Sequence, residues 1–90
     1  MNKAELVETL VSKTGETPRV CENVLDAFTV TVKEQLQKRQ EVKLSKFGKF
    51  TTRIMDPREG RNPKTGEAIH ILGYTKPVFE VSDDLKESIQ

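Results

Sequence analysis

The stretch Arg58-Glu59-Gly60-Arg61-Asn62-Pro63-Lys64-Thr65-Gly66-Glu67 reverses the chain at its middle and carries no large apolar side chain. Its turn has a mechanism: Pro63 presets φ at the second position of Asn62-Pro63-Lys64-Thr65-Gly66, and Gly66 supplies a positive φ for the return. Ala68-Ile69-His70-Ile71-Leu72 then has strand character, so the segment reads as a β-hairpin, an arm of about residues 55–71. From Asp56 to Glu67 the arm has nothing to bury against a body, and a two-stranded ribbon on its own is only marginally stable. Packing does not account for such an arm. A grooved, negatively charged ligand does, because a two-stranded ribbon is narrow enough to follow a DNA groove.

Outward from the arm the hydrophobic period is two. Val42 and Leu44 alternate with Lys43, a short turn leads through Phe47-Gly48-Lys49-Phe50 into Thr51–Ile54, and Phe79 and Val81 close a last strand. Before Gln40 the period is 3.6. Asn2 is a good N-cap with Glu5 three positions on, and Leu6, Val7, Leu10 and Val11 form the inner face of a first helix that Gly15 ends. Thr17 caps a second helix with Pro18 at its first position. Its stripe of Val20, Cys21, Val24, Leu25, Phe28, Val32 and Leu36 is wide enough to face both the first helix and a partner subunit. Ser82 caps a short final helix, with Asp83 and Asp84 in its first turn and Leu85 and Ile89 on its inner face. The predicted class is α+β.

Composition narrows the function. Ninety residues with 34% apolar positions build only a thin core for a lone chain. No stretch approaches the roughly 18 apolar residues of a membrane span, and the charged, helical start is unlike a signal peptide, so the expectation is a soluble cytoplasmic protein with no membrane partner. One cysteine, Cys21, forms no internal disulfide and has no cysteine neighbour for zinc; it reads as a small hydrophobe. The net charge of +1 is unevenly spread. Residues 46–76 hold Lys46, Lys49, Arg53, Arg58, Arg61, Lys64 and Lys76 against Asp56, Glu59 and Glu67, whereas residues 1–45 balance and 77–90 are acidic. A basic middle segment, doubled in a dimer, is the electrostatic footprint of a polyanion binder. Nucleophile triads, paired carboxylates and Gly-rich phosphate loops are absent from the sequence, so neither an enzyme, a cofactor nor a small-molecule substrate is expected.

Within the arm, Arg58, Arg61 and Lys64 can neutralise phosphates or reach base edges, and Asn62 can donate and accept at the floor of the minor groove. Pro63 is the most exposed rigid apolar surface at the tip and can act as a wedge between bases. Plainer readings stand beside these: Pro63 sets the turn, and Arg58 and Arg61 are solvated charges. His70 has no metal-binding neighbours at suitable spacing and is a polar strand residue that can face DNA. Phe28, Phe47, Phe50 and Phe79 read as core rather than as base-stacking platforms.

The Gly60–Glu67 run resembles the arm signature of the HU/IHF family of bacterial histone-like DNA-binding proteins, and most closely HU. Met1-Asn2-Lys3, Phe47-Gly48-Lys49-Phe50, Pro77-Val78-Phe79 and Leu85-Lys86 fall at family-like separations, so the resemblance spans all ninety positions. It implies one domain over residues 1–90: a helical dimerisation base (1–40), a three-stranded antiparallel β-saddle with its protruding arm (41–81) and a C-terminal helix (82–90). It implies an intertwined dimer, with itself or with a related subunit, with Phe28, Phe47, Phe50 and Phe79 in its core. It further implies an architectural role on nucleoid DNA: Pro63 intercalates and bends the duplex, Arg53, Arg58, Arg61 and Lys64 contact backbone and minor groove, and Lys3, Lys76 and Lys86 are body contacts. Lys46, Lys49, Asn62 and His70 complete the expected DNA-binding set, and bent, nicked or junction DNA is the expected preference. The sequence departs from the family pattern at Met55, Glu59, Lys46, Ser82 and Leu72-Gly73-Tyr74, and in its low net charge. Two alternatives stay open, a sequence-preferring IHF-like factor and a protein-interaction module with weak DNA binding.

Overall fold

The computed structural model describes residues 1–90 as three helices and five strands: α1 (Lys3–Thr14), α2 (Pro18–Gln37), β1 (Val42–Leu44), β2 (Gly48–Met55), β3 (Arg58–Arg61), β4 (Ala68–Ile71), β5 (Tyr74–Val81) and α3 (Asp83–Ser88). They form two compact units, Met1–Glu34 and Gln35–Gln90.

In the first unit the caps lie where the sequence puts them. The Asn2 side chain accepts from the Glu5 amide at 2.9 Å, and Thr17 accepts from the Val20 amide at 3.2 Å. Each satisfies an amide that the first turn of a helix leaves without an intrahelical partner. Thr14 Oγ1 lies 3.7 Å from the Cys21 thiol, tying the end of α1 to the start of α2. Cys21 and Val32 are the only buried apolar side chains of the chain, while Val20, Val24 and Phe28 on α2 stay exposed.

The second unit begins with the end of α2. Arg39 takes a left-handed φ of 60°, and the Gln40 amide donates back to the Gln35 carbonyl at 2.9 Å, which closes the helix in a Schellman-type cap. The main sheet has the order β1-β2-β5 and is antiparallel throughout. β3 and β4 form a separate two-stranded sheet, the predicted arm. Residues opposite one another across antiparallel strands share a face, and alternation does the rest. Val42, Leu44, Phe50, Thr52, Ile54, Pro77, Phe79 and Val81 therefore share one face of the main sheet. Phe79 meets Phe50 at a centroid distance of 4.9 Å and Phe47 at 5.2 Å, in tilted ring geometry. Gly48 is required here: a Cβ would stand 2.5 Å from the Glu80 carbonyl and 2.7 Å from the Phe79 ring.

One expectation fails. Ile89 is not on an inner face of the last helix; it follows α3 as its C-cap and is 75% exposed. With six residues, α3 is under two turns long and has no second inward position to offer.

Candidate nucleic-acid interface

The arm tip is held by its own backbone. The Asn62 amide donates to Glu67 O at 2.8 Å, and the Gly66 amide to Asn62 O at 2.7 Å. Asn62 Oδ1 accepts from the Lys64 amide at 2.9 Å, the local bond that makes asparagine a turn former. Gly66 takes a φ of 73°, as its glycine predicts. Pro63 is exposed at the tip. Asn62, expected to offer both donor and acceptor to DNA, spends its carbonyl on the turn, and its amide nitrogen is the group left to donate. Arg61 Nη1 reaches across the loop to the Gly66 carbonyl at 3.1 Å.

Pairing of β3 with β4 sorts the arm's side chains. Glu59 stands opposite His70 and Arg61 opposite Ala68 on one face; Arg58 opposite Ile71 and Gly60 opposite Ile69 lie on the other. His70 Nδ1 and Glu59 Oε1 are 3.0 Å apart. The arm itself is not a basic element. Residues 56–71 carry Arg58, Arg61 and Lys64 against Asp56, Glu59 and Glu67, so the positive excess of the middle segment resides in Lys46, Lys49, Arg53 and Lys76, in the main sheet and its turn.

That excess is concentrated on the sheet face opposite the phenylalanines. Lys43 pairs across β1 and β2 with Lys49, and Arg53 pairs across β2 and β5 with Lys76. Thr51, Met55, Tyr74, Val78 and Glu80 complete the same face by register, with Glu80 directly opposite Lys49. Two carboxylates moderate it. Glu80 lies 3.4 Å from Lys49 and 3.7 Å from Arg53, and Glu41 lies 3.7 Å from Lys49. Hydrogen bonding to Glu80, then the charge of Glu41, holds the Lys49 ammonium above the usual lysine value of 10.5. Beside this face a cleft is lined by Lys43, Ser45, Lys46, Lys49 and Ser82, among others. Lys46 sits in the β1–β2 turn with a φ of 63°, at a position where glycine is the residue the turn prefers.

The structure thus gathers Lys49, Arg53 and Lys76 on one sheet face, and Arg58, Arg61, Asn62, Pro63, Lys64 and His70 on the arm. Lys3 lies in the first unit, bound to Asp26 at 2.7 Å and Glu22 at 3.7 Å; the Asp26 hydrogen bond is the main cause of its raised pKa. Lys86 is exposed on α3. Lys43 was missed in the sequence reading, although the period of two that makes Val42 and Leu44 core residues already turns Lys43 to the face of Lys49.

A sheet with one cationic face, continued into an exposed ribbon that ends in a proline, defines a nucleic-acid-binding α+β protein. Residues 1–90 match the family described as bacterial DNA-binding protein. The chain is 42% identical over 89 residues to the DNA-binding protein HU of Clostridium pasteurianum, covering 99% of this chain and 98% of that one. It is 40% identical over 90 residues to the integration host factor subunit alpha of Bordetella avium, covering 100% of this chain and 78% of the relative. Among solved structures, an Anabaena HU–DNA cocrystal structure superposes with a TM-score of 0.92 at 36% identity, covering 99% of this chain and 97% of the other. The chain belongs to the HU/IHF-type family of bacterial DNA-binding proteins.

Proposed function

We propose that this chain is an architectural protein: a dimer that binds double-stranded DNA through the minor groove with little sequence preference, and bends it by inserting Pro63 into a base step. One observation carries the reading. Lys43 faces Lys49 and Arg53 faces Lys76 across the same sheet surface, and directly opposed like charges cost a sheet stability. Glu80 and Glu41 offset part of this repulsion, and a polyanion laid on that face offsets the rest. The relative crystallised with DNA, at 36% identity, supports the same ligand.

Dimerisation follows from burial. A chain with two buried apolar side chains and with Val24, Phe28, Phe47 and Phe79 more than a third exposed gains its missing core from a second copy or a related subunit. In this reading Phe28, Phe47, Phe50 and Phe79 line the dimer core. Affinity comes from counterion release by Lys46, Lys49, Arg53, Lys76 and the arm cations Arg58, Arg61 and Lys64, with Lys3 and Lys86 as outlying contacts. Asn62 and His70 add polar contacts from the arm. Bending a site smoothly costs on the order of 1–6 kcal/mol, so nicked, gapped or junction DNA, already flexible, binds more tightly. The protein acts in the cytoplasm, on the nucleoid.

The test is bending measured by fluorescence energy transfer across a short duplex. Pro63→Ala should lose most of the bend and keep most of its low-salt affinity; a variant that bends DNA as fully as the parent removes the wedge from the mechanism. The 40% identity to an integration host factor subunit favours a second reading, in which shape readout adds site preference. Selection from random duplexes separates the two, since only the second yields a consensus.

A further inference from the structure

We infer that Glu59 and His70 form a proton-controlled element of the arm that strengthens DNA binding when the imidazole carries its second proton. The inference rests on the architectural reading and concerns what the arm adds to it.

Glu59 and His70 are partners across the β3–β4 ribbon, with Nδ1 and Oε1 at 3.0 Å. Both side chains are more than half exposed, 57% for His70 and 71% for Glu59, so protons exchange freely and a phosphate can approach. The groups around the imidazole are few, because β3 and β4 pair only with each other. Glu59 lies opposite, Arg61 is the next charge along that face, and Ala68 is the flanking residue on β4; Arg58, Ile69 and Ile71 occupy the reverse face.

The charge count makes one proton matter. With His70 neutral, residues 56–71 hold three cations and three anions and carry no net charge. Protonation takes the arm to +1 and a dimer's two arms to +2. A neutral imidazole also leaves the Glu59 carboxylate to repel phosphates at the surface meant to meet them. The imidazolium cancels that repulsion and adds a charged donor, and nearby phosphates in turn favour the charged form. Histidine is the side chain that makes this change within the neutral range, and His70 is the only one in the chain. Binding is therefore expected to take up protons. Each cation brought to DNA adds roughly 0.9 to the slope of log affinity against log salt, so two arms steepen it by up to about 1.8, on the order of tenfold in affinity between about 50 and 200 mM salt.

The experiment titrates the full-length protein with a nicked duplex at pH 6, 7 and 8 and constant ionic strength, for the parent, His70→Gln and Glu59→Gln. Expected is a parent dissociation constant several-fold lower at pH 6 than at pH 8, a His70→Gln variant whose affinity is flat across that range, and a Glu59→Gln variant whose pH 8 affinity rises toward the parent's at pH 6. Calorimetry in buffers of differing ionisation enthalpy should register proton uptake for the parent and its loss in His70→Gln. Parent binding that does not vary with pH, or a His70→Gln variant that keeps the parent's dependence, overturns the inference while leaving the architectural reading intact. Failure to bind the nicked duplex at any of the three pH values overturns both.

Discussion

Single residues of the interface do opposing work. Arg61 spends its side chain on the Gly66 carbonyl, yet in the proposed reading it is also a cation that meets a phosphate. Arg61→Ala should weaken binding and reduce the salt slope by about one; an unchanged slope in a salt titration would place Arg61 off the backbone. Glu80 holds both Lys49 and Arg53, standing where a phosphate would otherwise draw them. Glu80→Gln should tighten binding several-fold at low salt and steepen the slope, checked in the same titration. Lys46 bears a left-handed backbone at φ 63°, a conformation that costs a non-glycine residue about 1 kcal/mol or more. Lys46→Gly should therefore stabilise the fold by about that amount in urea denaturation while weakening DNA binding. At this scale the sequence was eloquent about backbone and nearly silent about side-chain partners. Pro63 and Gly66 announce their turn through their own φ preferences, whereas the Arg61 bond to Gly66 and the Glu80 clamp depend on distances that no spacing rule fixes.

Elements were legible to the degree that local physics makes them. Asn2, Thr17 and Ser82 mark helix starts because a side-chain oxygen must satisfy amides that the first turn leaves open, and all three cap as expected. The strands β1, β2 and β5 follow from a period of two. Less legible was the end of α3, where an apolar Ile89 suggested an inner face that a six-residue helix does not have. The sign of the arm was legible but blurred by too wide a window. The middle segment as a whole is positive, yet residues 56–71 alone hold three cations and three anions; what needed the register was the gathering of Lys49, Arg53 and Lys76 on one sheet face. Within β2, a side chain at Gly48 would run into the Glu80 carbonyl and the Phe79 ring. Gly48→Ala should cost about 1–3 kcal/mol through overpacking, read as a fall in the midpoint of thermal unfolding, and an unchanged midpoint would mean that the strands part easily there.

For the whole molecule the decisive quantities are a small core and a divided charge. Two buried apolar side chains do not sustain ninety ordered residues alone. Sedimentation should therefore find a dimer at micromolar concentration, with an unfolding midpoint that rises with protein concentration; a folded monomer would contradict the proposed core of Phe28, Phe47, Phe50 and Phe79. A net charge of +1 leaves little long-range attraction, so binding depends on bringing one cationic sheet face and one balanced arm close to the duplex. In the proposed reading, DNA that is already easy to bend satisfies that need with less work. The most direct measurement compares the affinity of the purified protein for an intact duplex and for the same duplex with a central nick, at two low salt concentrations. Tighter binding to the nicked form at both, with affinity falling as salt rises, is the predicted result; equal affinity for the two forms, or binding indifferent to salt, would contradict an architectural role.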